Sequence, residues 1–202
     1  MTKMTDCAAV EHALAESGLL AMQDQHLRSV VGIITGERLK TSWWNHAKAQ
    51  EIFRCLDHLG DSRDVLVSRL AAGKVTYVHR RLWPAFLSVA GSNEPWQRGG
   101  LSADAVDMLA EVEAGGARRA KGPAARELQE RLLIAADEVH TEAGRHELEL
   151  RSWTSWSKGR GVRGRVEPAS ARAQLEAALV AIGGTAAMLP WNRFGRTKPG
   201  TR

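Results

Sequence analysis

Two apolar, β-branched runs joined by a short glycine-bearing connection constrain this chain more than any other feature. Asp64-Val65-Leu66-Val67-Ser68-Arg69-Leu70 and Val75-Thr76-Tyr77-Val78-His79-Arg80 flank Ala71-Ala72-Gly73-Lys74, the pattern of a β-hairpin. The second run continues through Arg81, Leu82 and Trp83 into Pro84. Proline is tolerated in a first helical turn, so a helix is expected over 85–90 with Phe86, Leu87 and Val89 facing inward. A hairpin set between helices makes the chain α+β.

The same grammar occurs twice. Upstream, a helix runs from Asp6 to Ser17, stopped by Gly18, with Val10 and Leu14 on one face. An apolar segment over 26–35 is rich in valine and isoleucine, which leaves helix and strand unresolved. A clear helix spans 46–59, with Ile52, Phe53, Leu56 and Leu59 at helical spacing and Gly60 as its stop. Downstream, Ser102 caps a helix to Glu113 and Pro123 opens another to Leu133. Segments 134–140 and 145–153 then form a second hairpin, in which His146-Glu147-Leu148-Glu149-Leu150 alternates as a half-buried strand does. The expected architecture is α+β, mostly helical with two β-hairpins, in tandem winged-helix-like units. Residues 1–92 form the first unit, 101–153 the second, and 154–202 a basic extension with one helix. Residues 91–100 read as a linker anchored by Trp96.

Seven tryptophans against three phenylalanines and one tyrosine is an unusual balance. Such rings are core pillars or floors of binding surfaces. Trp43 and Trp44 are adjacent, so one of them is expected to be exposed. The net charge of +5 hides an asymmetry: residues 151–202 hold ten Lys/Arg and two acids, leaving a balance of −3 for the rest. A basic segment on an acidic body suits phosphate binding. Cys7 and Cys55 are the only cysteines and both fall on expected helices; a disulfide framework is not indicated and reduced thiols are expected. No stretch is apolar enough to span a membrane and no secretory leader is visible, so the expected location is the cytoplasm.

Chemistry-bearing residues cluster around the first hairpin. Lys74, His79, Arg80 and Arg81 beside Trp83 mix cations with a ring, and Trp43, Trp44 and His46 repeat the mixture. Cations that hold phosphates beside rings that stack on bases suit single-stranded or flipped nucleotides. In the second unit, Arg126, Gln129 and Arg131 lie on a helix that a winged-helix unit would lay in a groove, with Arg118 and Arg119 in a turn placed for phosphates. Arg160 and Arg163 in the 158–165 run extend that surface. His140 and His146 flank the second hairpin turn, where Glu138 or Glu142 could join them on a metal; structural histidines are the stronger expectation. No dinucleotide fingerprint, phosphate-cradling loop or zinc-protease motif occurs, and no cofactor is expected.

Ser42-Trp43-Trp44-x-His46-x-Lys48, the Gly73–Pro84 run and Val139-His140-Thr141-Glu142-x-Gly144-x-His146 resemble a family of small bacterial proteins over residues 40–190. More remotely, the layout is similar to winged-helix DNA glycosylases that unhook interstrand crosslinks. Those enzymes are longer and set a Gln-x-Gln pair against the lesion. Gln23-Asp24-Gln25 has that spelling, outside the resembling stretch and with an acidic middle residue. The tandem helix–hairpin grammar and the local Arg/Trp clustering point to a DNA-binding protein acting in repair or on damaged or single-stranded DNA. Two rivals stand beside it. One is a base-excising or hydrolytic enzyme using His46, His79 and Asp64; the other is a transcriptional regulator or protein-interaction module.

Overall fold

A computed structural model describes residues 5–115, 117–140 and 146–195, without the side chains of Thr5, Asp6, Glu138, Val139, His140 and His146. It is α+β, with two small antiparallel three-stranded sheets among helices. The first helix, α1 (Thr5–Ser17), buries Val10, Ala13 and Leu14 and ends where Gly18 turns at φ 81°. The chain enters β1 (Leu19–Ala21), whose three residues are all buried. After a loop, Ser29 caps α2 (Val30–Thr35) through its side chain, and Gly36 closes it in the left-handed region. A 3₁₀ turn over Trp43–Asn45 precedes α3 (Ala49–Asp61), which points Ile52, Cys55 and Leu59 inward. The helix passes through Gly60 rather than stopping there.

The hairpin forms as expected: β2 (Val65–Ala71) pairs with β3 (Lys74–His79). Strand β1 adds to the other side of β3, giving the order β1-β3-β2. Helix, strand, helix, helix, strand, strand with the first strand beside the third is winged-helix connectivity. β1 escapes sequence reading because three continuous apolar residues carry no period. A 3₁₀ turn at Arg80–Leu82 leads to α4 (Trp83–Ala90), with Pro84 in its first turn. The expected linker holds a short helix, α5 (Pro95–Arg98), that buries Trp96.

The second unit begins with α6 (Ala103–Glu113), capped by Ser102. Arg118 and Arg119, expected in a turn, form β4 (Arg118–Arg119), hydrogen-bonded to the last strand of the sheet. Helix α7 (Pro123–Glu130) is shorter than expected and gives way at Leu132, which sits at φ 53°. Then β5 (Ala135–His140) pairs with β6 (His146–Arg151), and the order β4-β6-β5 repeats that of the first sheet. The unit has its own core around Leu109, Val112, Leu128 and Leu150.

Residues 153–195 hold more than the one helix expected of the basic extension. They fold into α8 (Trp153–Gly159), α9 (Pro168–Ala181), a 3₁₀ turn at Ala186–Met188 and α10 (Pro190–Phe194). Leu175, Leu179, Leu189 and Trp191 join the core of the first unit. Trp83, Phe86, Trp153 and Trp156 meet edge to face at 5.0–5.9 Å, each pair contributing about 0.5–1.5 kcal/mol beyond burial. These indoles are pillars that fasten α8 to α4.

The cysteines are bonded to each other, contrary to the reduced state read from the sequence. Helices α1 and α3 pack with Cys7 and Cys55 on facing sides, their Cα atoms 5.4 Å apart, within bridging range. Cysteine count alone carries no information about which helix faces meet. Among the described residues, no helix is long and apolar enough to cross a membrane, and no group of His, Cys, Asp and Glu suits a metal ion. The His140, Glu142 and His146 side chains lie outside the described residues.

Candidate nucleic-acid interface

Most cations singled out in the sequence are engaged within the fold. Arg80 pairs with Asp64 at 3.0 Å. Arg81 donates from Nε to the Ala15 carbonyl and from Nη2 to that of Glu16, at 3.1 and 2.9 Å. It thereby caps the carbonyl end of α1, where a cation is favoured. His79 Nδ1 accepts from the Arg81 backbone N–H. Burial, reinforced by Arg81 and Arg80 against the opposing pull of Asp64, lowers its pKa and keeps the ring neutral at neutral pH. His46 accepts from the Lys48 backbone N–H and lies 3.4 Å from Glu37.

The second unit behaves similarly. Arg118 pairs with Glu111 and Arg119 with Glu147. Gln129 donates to the Ala125 carbonyl of its own helix. Arg131 donates to the carbonyls of Trp96 and Gly99 and lies over the Phe194 ring. Arg160 donates to the Ser62 carbonyl, while Arg163 is exposed. Trp43 is buried and stacks at 4.0 Å on Trp44, which is 62% exposed. Arg80 and Arg81 are thus held by Asp64 and by the carbonyl end of α1.

A different set of residues converges. An open cleft of about 620 Å³ lies between the two units. Its wall is the loop after β1, with Gln23, Asp24, Gln25 and His26; Lys40 enters from the segment before α3. Arg69 and Lys74 come from the β2–β3 hairpin, and Arg126 from α7. Gln23 Nε2 donates to the Thr41 carbonyl at 2.6 Å, and Gln25 Nε2 lies 3.5 Å from that of Lys40. Both carboxamides are therefore oriented by the 40–41 backbone.

Asp24 organises this wall. Its Oδ1 accepts from the backbone N–H groups of His26 and Leu27 at 2.7 and 3.0 Å, and Oδ2 accepts from Lys74 Nζ at 2.5 Å. Burial by itself would raise its pKa; the Lys74 hydrogen bond, the two backbone donors and the Lys74 charge outweigh it and lower the value. The carboxylate stays ionised with both oxygens engaged, so it is a structural anion and a poor general base. Arg69 is half-sheltered, its pKa lowered by burial and then by Arg126, with Glu130 opposing.

The cleft thus brings together Lys74 and Arg126 from the sequence-derived set and adds Gln23, Gln25, Lys40 and Arg69. Lys40 and Arg69 carried no local signal; only the tripeptide did. A second feature lies on α3, where Trp44, Ala49, Gln50, Phe53 and Arg54 line a shallow apolar hollow of about 360 Å³. No protein-family model, curated protein or solved structure matches the chain.

Proposed function

We propose that this protein binds DNA through the cleft between its units, taking an unpaired or flipped nucleotide during repair or handling of damaged or single-stranded DNA. The observation that carries the reading is the cleft's charge: Lys40, Arg69, Lys74 and Arg126 face it, and among the described residues Asp24 is the sole acid lining it. Its volume lies in the range of about 300–1,000 Å³ that suits a small ligand or single nucleotide unit. Gln23 and Gln25 offer carboxamides, which pair with base edges. Trp44, only three residues along the chain from Thr41, is within about 11 Å of chain reach, so a neighbouring base could stack on its open face.

Reading of duplex DNA by the first unit is disfavoured on two counts. Helix α3, which would enter the groove, carries Glu51, Asp57 and Asp61 against Arg54, and acids repel phosphates. The hairpin tip, which would touch the backbone, is packed inside: Gly73 is buried and the Ala72 N–H donates to the Met188 carbonyl. Fluorescence anisotropy with single-stranded, gapped and duplex oligonucleotides across salt tests the proposal. Binding to single-stranded or gapped DNA should weaken linearly in log–log salt, and its absence from every substrate defeats the reading.

A base-excising activity is the second reading, favoured by Gln23 and Gln25 lining one cleft in the spelling of the crosslink glycosylases. His46, His79 and Asp64 do not line it. Incubation with lesion-bearing oligonucleotides and an assay for abasic sites separates excision from binding.

A further inference from the structure

Beside the cleft floor, two guanidiniums share one carboxylate and a third stands close by. Arg126 Nε lies 2.8 Å from Glu130 Oε1, and Arg193 Nη2 lies 3.4 Å from Oε2. Arg69 stands within electrostatic reach of both Arg126 and Glu130. One negative charge against three positive ones leaves two uncompensated. Two of the guanidinium nitrogens, Arg69 Nε and Arg193 Nη1, are buried and find no acceptor among the described residues. Such an arrangement is costly unless an anion relieves it.

The hairpin is shaped to allow it. Gly73 sits at φ 71°, and a Cβ there would lie 2.7–2.9 Å from the Glu130 carboxylate. Arg69 Nη1 donates to the Gly73 carbonyl at 3.1 Å, which fixes the guanidinium against the turn. Among the described residues Arg126 is anchored by an i,i+4 contact alone, and its side chain is 63% exposed. It can therefore turn from Glu130 toward a ligand while Arg193 keeps the carboxylate paired.

We propose that this cluster is a phosphate subsite for a terminal phosphate monoester of a single-stranded DNA end, gripped by Arg126 and Arg69 with Lys40 at the rim. A monoester carries about −1.5 to −2 charges at neutral pH, matching the two uncompensated positive charges, whereas an internal diester carries one. Arginine's planar fork suits such a group. The inference rests on the DNA reading above and specifies which part of the strand enters.

The test compares one single-stranded dodecamer bearing a 5′-phosphate, a 3′-phosphate or neither, by anisotropy with wild type and Arg126→Ala. At least one phosphorylated form should bind about tenfold tighter than the unphosphorylated strand, and Arg126→Ala should reduce that ratio below about twofold. Equal affinities in wild type, or an unchanged ratio in Arg126→Ala, overturn the subsite while leaving DNA binding intact. If no strand binds, the DNA reading fails and the subsite is judged by thermal shift. Inorganic phosphate should then raise Tm above a chloride control at matched ionic strength in wild type only; no Arg126-dependent rise overturns it. Circular dichroism of Arg126→Ala confirms the fold.

Discussion

Asp24 is the residue on which the cleft wall hangs, and its removal has a cost that can be worked from its bonds. In Asp24→Ala the Leu27 N–H, a buried donor at 3.0 Å, loses its acceptor, which costs about 1–3 kcal/mol. The His26 N–H at 2.7 Å is partly open to water, so its lost bond costs about 0.5–1.5 kcal/mol. Lys74 is 54% exposed; its ammonium regains water, and the loss of that ion pair adds at most about 1 kcal/mol. The total centres near 3 kcal/mol, or roughly 6–12 °C in Tm for a chain of this size. Asp24→Asn keeps a carbonyl oxygen for both backbone donors and should cost about 1 kcal/mol. Urea unfolding followed by tryptophan fluorescence measures both. If Asn proves as damaging as Ala, or Ala costs less than 1 kcal/mol, the backbone bonds are not what holds the loop. The pH dependence has a defined sign. A depressed carboxyl contributes stability that is present above the ordinary carboxylate value of about 3.9 and is lost as pH falls through the lower folded value. Lys74→Met removes the cation that lowers it, so acid unfolding should begin at higher pH.

Four further outcomes follow from separate features. Trp44→Ala should lower stability by about 1–3 kcal/mol, since the stack on Trp43 and the tilted contact with Phe53 at 6.3 Å are both lost, and weaken single-stranded DNA binding by about 1–3 kcal/mol with duplex binding unaffected; equal loss on both substrates counts against a stacking role. Reducing Cys7–Cys55, which are 48 residues apart, should lower stability by up to about 4 kcal/mol, measured by calorimetry with and without reductant; two titratable thiols in the denatured, unreduced protein would disprove the bridge. His79 is a base with a depressed pKa, so its contribution is complete above the ordinary value of about 6.5 and declines as pH falls toward the folded value; urea midpoints at pH 7.5 and 5 should differ less in His79→Asn than in wild type. Gly73→Ala must place a Cβ at φ 71° against Glu130, costing at least about 1–2 kcal/mol from the backbone alone; a neutral Tm would contradict the packed hairpin tip.

The elements that announced themselves did so through strong local chemistry. Alternation and a glycine turn gave both hairpins, Ser102 and Pro123 marked helix starts, and Gly18 marked an end. Strands β1 and β4 were invisible because a Leu-Leu-Ala triplet and an Arg-Arg pair have no period; tertiary pairing alone makes them strands. The adjacent tryptophans divided as expected, Trp43 inward and Trp44 outward. Partners were not legible. Arg81 reads as a phosphate contact, but its nearest acceptors are main-chain carbonyls at the end of α1, which no composition argument reveals. The cleft itself draws on four separated segments, so Lys40 and Arg69 meet only after folding.

The first hairpin shows why sequence emphasis and functional surface diverge. In an isolated winged-helix unit its tip would be free to meet a polynucleotide. Here Gly73 lies under the Glu130 carboxylate, Ala72 is tied to Met188, and Arg69 reaches back to the turn. The wing joins the first unit to α7 and to the C-terminal turns, and its cations are drawn inward with it. Lys74 is held by Asp24 and Arg69 is half-sheltered, while the cations further along, Arg80 and Arg81, serve Asp64 and the carbonyl end of α1. Positive charge left over after this internal pairing gathers in the crease where wing, loop and α7 meet. A ligand drawn by that charge must enter a crease rather than lie across a face, and under the proposed DNA reading that favours an unpaired strand or its end over a duplex.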